Sequence, residues 1–262
     1  MNPALGPASL RASTSSSTPS PTPAPTPTPA ATPSPTPAPT PAPTTRLRDI
    51  PRPLLFAALG WLALALVIAA TGVLQWFLPL IPLMFVTLLA TTLFAWHRSA
   101  SFRAWTTGLD LRVPILLHVS RIVFGALFLV ELAAGRLPAL FAERGGYGDL
   151  VAGALAIVAA IAAGRPRVRN HAPDARLQPA SKAGRALVWV FSIVGLVDIA
   201  LVFMTAQVLA FVHHDAQLIA AIGSLPYALL PTVVVPLVVL THLLVIQRLR
   251  PGFAKPYRLR LP

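Results

Sequence analysis

The chain contains no cysteine. Disulfides, thiolate nucleophiles, iron–sulfur clusters and cysteine-ligated zinc are therefore excluded, although the absence carries no information about compartment. Charge is the second shortage. Only 11% of the residues are charged, against about 25% in soluble domains. Between Leu54 and Trp96 there is no charged residue at all. Signatures of nucleotide and hydrolytic chemistry are missing too: no phosphate-binding loop, no GxSxG elbow, no HExxH helix. Ser120 and Ser192 lie inside apolar segments with no His/Asp arrangement visible beside them, so the sequence lends a hydrolase no support.

Apolar sequence, by contrast, is abundant and comes in runs. The chain is 55% hydrophobic and its mean hydropathy is +0.69. About 20 apolar residues, rising about 1.5 Å each, cross ~30 Å of hydrocarbon as a helix. The expected fold is accordingly all-α: a polytopic membrane bundle of about six transmembrane helices within residues 46–250. Their expected ranges are about 54–74, 77–96, 113–134, 149–163, 186–211 and 225–246. Residues 1–45 hold 14 of the 29 prolines in a Thr-Pro/Ala-Pro alternation, which fixes φ, removes donors and cannot build a core. They read as a disordered cytoplasmic tail, and residues 251–262 as a basic one.

Local signals refine the expected segments. Pro79 and Pro82 suit the start of the second helix. The stretch "GRLPALFAERGGYG" reads as a Gly-rich external loop or, alternatively, an interfacial or re-entrant piece, with Asp149 as the N-cap of a short fourth helix. Ala152, Ala156, Ala160 and Gly164 recur every four residues and favour close helix packing there. Pro226, Pro231 and Pro236 predict a bent sixth helix, with Thr232 re-satisfying freed carbonyls.

The net charge of +13 would suggest nucleic acid on a soluble protein, but here Lys and Arg lie between the apolar runs. They read as topology determinants and contacts for anionic lipid headgroups, with no nucleic-acid partner. On one side fall Arg11, Arg46, Arg48 and Arg52, three arginines after the second segment, six basic residues over 165–185, and Arg248, Arg250, Lys255, Arg258 and Arg260. The other side has Arg136 and Arg144 only. That bias predicts cytoplasmic N- and C-termini.

Ionisable groups within the apolar runs are the candidates for chemistry. An isolated charge there costs about 3 kcal/mol or more, so each needs a partner or water. Arg121 and Asp198 fall at overlapping depths and are expected to meet, as a structural ion pair or as a polar site on a solute or proton path. His118 lies six residues from Arg112 and His242 six from Arg248, which places both histidines at one shallow cytoplasmic level. Two histidines there suit a water-filled vestibule, or, as a different reading, axial ligation of a b-type haem. His213, His214 and Asp215 read as a solvated outer loop. No metal site and no cofactor are expected.

Two stretches, "RIVFGALFLVELAAGRLPALFAERGGYGDLVAG" and "LPYALLPTVVVPLVVLTHLLVIQRLR", together resemble uncharacterised bacterial multi-pass membrane proteins. The resemblance implies a bacterial inner membrane and no particular activity. The expected function is a small-solute or proton-coupled transporter or permease-like protein. Its binding site would comprise Arg121, Asp198, His118 and His242, its partners being the bilayer and an unidentified small solute. A haem-binding or redox subunit and a non-catalytic assembly protein are the alternatives.

Overall fold

The computed structural model describes residues 49–164 and 181–250. The expected tail over residues 1–45, residues 165–180 of the basic segment and the C-terminal segment 251–262 lie outside the described residues.

Among the described residues every regular element is helical, and six helices are long and apolar enough to cross a membrane. They are α1 (Arg52–Ala70), α2 (Leu80–Arg98), α3 (Arg112–Ala133), α4 (Ala139–Ala163), α5 (Lys182–Phe211) and α6 (Leu230–Leu249). Shorter helices at Val73–Trp76, Ala100–Gly108 and Ala216–Ile222 lie between them. Phe56, Val67, Phe94 and Ile161 are among many large apolar side chains that stay exposed. A surface of that kind suits hydrocarbon, and helix length and composition agree: this is a membrane-embedded protein.

Proline sets the helix starts as its chemistry requires. Pro79 caps α2 and Pro82 sits in its first turn, where missing N–H groups leave no gap in the ladder. The segment after α2 is not a plain basic loop. It forms the helix Ala100–Gly108, with Ser99 Oγ accepting from Phe102 N at 3.2 Å. Arg103 folds back and donates to the carbonyls of Trp96, at 3.0 Å, and His97, satisfying the end of α2.

The fourth helix departs most from the sequence expectation. It begins at Ala139, so the segment expected to be a Gly-rich loop is helical and Asp149 lies mid-helix instead of at a cap. The glycines are there for contact. A Cβ at Gly145 would press on the Phe128 ring, and one at Gly146 would fall 2.7 Å from Leu129. Each glycine in a helix interior costs about 1 kcal/mol relative to alanine, but between membrane helices small residues let backbones approach and pack. α4 packs extensively on both α3 and α5 and lies between them.

α6 opens with a π-helical turn at Leu230–Val234. Thr232 Oγ1 donates to Ala228 O at 2.7 Å, so it does not reach the carbonyls to which Pro231 and Pro236 cannot donate, those of Tyr227 and Thr232. Pro236 has no N–H to offer the carbonyl of Thr232, four residues earlier. That carbonyl accepts the indole N–H of Trp61 on α1 at 3.0 Å instead. α1 is otherwise one of the least buried spans. Trp61→Phe should therefore weaken α1 docking by about 1 kcal/mol, the usual size of such a bond between membrane helices, and lower the thermal midpoint in detergent by a few degrees. An unchanged midpoint would show that α1 is held by apolar contact alone.

Candidate functional site

Three apolar clusters form the core. One gathers Phe191, Ile115, Val245 and the alanines Ala156, Ala159, Ala160 and Ala163. Another gathers Phe128, Phe141, Leu209 and Leu218 further along the same helices. A third joins α1 and α2 through Ala65, Leu74 and Ile81. Between the first two, along α3, α4 and α5, lie the charges.

Arg121 on α3 meets Asp198 on α5, but it also meets Asp149 on α4. Its Nε donates to Asp149 Oδ1 at 2.6 Å, Nη2 lies 2.5 Å from the same oxygen, and Nη2 also donates to Asp198 Oδ2. The arginine side chain is 5% exposed and each carboxylate 14%, so the cluster is withdrawn from the surface. One guanidinium thus serves two acids from two helices.

Glycines make the meeting geometrically feasible. α4 stands between α3 and α5, and at Gly148 an added Cβ would land on the Asp198 carboxylate. The missing side chain is the gap through which Asp198 reaches Arg121. Opposite, a Cβ at Gly125 would come within 3.1 Å of Asp149 Cβ. The small residues of "ERGGYGD" thus position the acids. Sequence reasoning missed Asp149 because Gly-Gly signals a turn in water, whereas here it signals helix contact. The available signal was Gly125 on the same stripe as Arg121, which marks the α3 face that takes a close neighbour.

The histidines also come together. The His118 and His242 rings lie 4.1 Å apart, and Phe191 packs against both, at 5.1 and 4.9 Å between centroids. Both are fully buried. His118 Nε2 lies 2.9 Å from Thr241 Oγ1, which is also 2.8 Å from Val238 O. His118 Nδ1, both ring nitrogens of His242, Arg121 Nη1 and Ser192 Oγ have no hydrogen-bond partner among the described residues. Rings in direct contact leave no space for a porphyrin plane between them, so the pair does not fit bis-histidine haem ligation. Among the described residues no group of three or more His, Asp or Glu is placed to hold a metal ion.

Two cavities approach this region. The first, about 100 Å³, is lined by Phe124, Phe203, Tyr227 and Pro231, among others, and ends on Arg121 and Asp149. The second, about 780 Å³, lies between α2, the Ala100–Gly108 helix, the start of α3 and the end of α6. Trp96, Trp105, Arg250 and Thr241 are on its wall.

The other sequence candidates resolve simply. Asp215 caps the Ala216–Ile222 helix by accepting from Leu218 N at 2.9 Å, beside exposed His213 and His214. Arg144, expected in a loop, lies in α4 and donates to Thr205 Oγ1 at 2.9 Å. Glu131 accepts from Arg136 Nη2 at 2.8 Å.

Fold and site together define a helical membrane protein with six long apolar helices among the described residues and a charge cluster between three of them. A family model for a domain of unknown function, DUF8737, matches residues 78–250, and the chain belongs to that family. The match takes in α2 to α6, hence every residue of the charge cluster and both histidines. No curated protein and no solved structure matches the chain.

The cluster predicts an unequal mutant series. Arg121→Leu leaves two like charges buried together and should lose at least the 3–5 kcal/mol typical of a broken buried pair. Asp198→Leu keeps the Arg121–Asp149 pair and should lose less. Replacing all three by leucine should recover much of the loss, measured as thermal unfolding in detergent. Gly148→Ala should lower stability even though alanine is the better helix former by about 1 kcal/mol. A more stable Gly148→Ala would show that Asp198 does not depend on that gap.

Proposed function

We propose that this protein is a small-solute permease coupled to a proton or another cation. Arg121, Asp149 and Asp198 form its binding site, and His118 and His242 lie between that site and the cytoplasmic mouth. One observation carries the reading: a single guanidinium held by two largely buried carboxylates, with Arg121 and Asp149 on the wall of an apolar cavity. With both acids ionised the cluster has a net charge of −1, which a membrane interior tolerates poorly. One proton or one bound cation completes the neutralisation, and a solute that competes for Arg121 or an aspartate exchanges with it.

The cavity wall supports the same reading. Apolar side chains exclude water, while the few polar groups at the cavity end fix orientation. The π-helical turn of α6 supplies Leu230, Pro231 and Val234 to that wall. Such turns are irregular segments that often accompany functional sites, and this one is the element that moves during gating. The basic bias counted along the chain supports cytoplasmic termini, and the resemblance to bacterial multi-pass proteins supports a bacterial inner membrane.

The test needs no knowledge of the solute. Purified protein in liposomes containing a pH-sensitive dye should pass protons faster than empty liposomes under an imposed pH or sodium gradient. Asp149→Asn and Asp198→Asn should each reduce that flux by roughly a hundredfold, the scale of a lost acid–base group. Wild-type liposomes no leakier than empty ones under either gradient would overturn the reading.

A further inference from the structure

The two histidines and Thr241 form a line between the charge cluster and the second cavity. At one end, Arg121 Nη1 and His242 Nε2 both face Gly195 on α5; a Cβ there would lie 3.5 Å from Nη1 and would overlap His242 Nε2. Asp198 is the next turn of α5, about 4.5 Å further along the same face. His242 then contacts His118 at 4.1 Å between ring centroids. His118 Nε2 is 2.9 Å from Thr241 Oγ1, and Thr241 is on the wall of the second cavity.

Polar atoms in this line are conspicuously unpartnered. Leaving a buried donor or acceptor unsatisfied costs about 1–3 kcal/mol per group. Three imidazole nitrogens, Arg121 Nη1 and Ser192 Oγ all stand so within one region. Phenylalanine or leucine would fill the same space at these positions without that penalty. A purely structural role gives no reason for imidazole here. Proton transfer does, because neutral imidazole has one nitrogen that donates and one that accepts.

We propose that Thr241, His118 and His242 are a proton route connecting the second cavity to the Asp149–Arg121–Asp198 cluster. The proposal rests on the coupled-permease reading and adds the path and the side of entry. With His118 as its Nδ1–H tautomer, a proton arriving from the cavity joins Thr241 Oγ1 as that hydroxyl turns from Val238 O and gives its own proton to His118 Nε2. His118 releases its Nδ1 proton to His242 when either ring turns within the contact. His242 passes a proton to an aspartate, with water spanning the last turn, and both rings return to neutral. Net, one proton leaves solvent and one carboxylate becomes a carboxyl. The titratable and charged groups along the path are His97 and Arg250 on the cavity wall, His118 and Arg121 on α3, Asp149 on α4, Asp198 on α5 and His242 on α6. Gly195 is the device that brings α6 near enough, since any side chain there would displace His242.

The experiment is an infrared pH-jump on the full chain in detergent. Equilibrium spectra report whether a buried carboxyl appears as pH falls, and the time course reports how fast protons reach it. In wild type the carboxyl band should appear. In His242→Leu the same final band should appear at least about tenfold more slowly, while thermal stability is unchanged or raised because two orphan nitrogens are gone. Should His242→Leu fail to fold, Thr241→Cys replaces it. The chain has no native cysteine, so a methanethiosulfonate reagent reaches that thiol alone and should slow the band by a similar factor. A His242→Leu or labelled Thr241→Cys protein that responds at the wild-type rate overturns the route and leaves the permease reading intact. A wild type with no titrating carboxyl overturns the route together with the proton-coupled form of the permease reading.

Discussion

The interior depends on one arginine being shared. Arg121 supplies charge-assisted hydrogen bonds to an acid on each of two neighbouring helices, so α3, α4 and α5 are tied at a single point near mid-span. A simple Arg–Asp pair would be neutral and could be replaced by packed leucines with little loss. Two acids around one base are different. With both acids ionised, the cluster has one uncompensated negative charge where hydrocarbon makes that costly. The same arrangement is a helix staple, and it is also what the proposed exchange of a cation or proton rests on.

The backbone irregularities collect around this point. α3 runs through a 3-10 turn at Leu117–Val119, which holds His118, immediately before the turn that holds Arg121. α6 begins with a π-turn, and the carbonyl freed by Pro236 is taken by Trp61. α4 carries glycines where an ordinary helix would carry larger residues. Departures from regular structure tend to lie where a protein needs something other than stability, and here they lie along the two cavities and the histidine pair.

Much of the fold was legible in order of residues. In lipid each spanning segment must satisfy its own backbone, so length and hydropathy are enough to mark six helices, and the charge-free stretch from Leu54 to Trp96 had to contain two of them. The encounter of Arg121 with Asp198, and the common level of His118 and His242, followed from counting residues inward from the basic loops. Depth is a one-dimensional quantity, and a chain that crosses a slab of fixed thickness records it directly.

Lateral position around the bundle is not recorded in that way, and it decided the site. Residue counting could not show that α4 stands between α3 and α5, nor that Gly148 is the opening through which Asp198 passes. It also misread "ERGGYGD" as a loop, because the same glycines that end a helix in water allow two helices to touch in a membrane. Asp149 was lost with that misreading. The sequence by itself marked six long apolar segments and the overlapping depths of Arg121 and Asp198, since both depend on local length and polarity. Only the tertiary structure decided which charges share a partner, because that depends on which helix faces which.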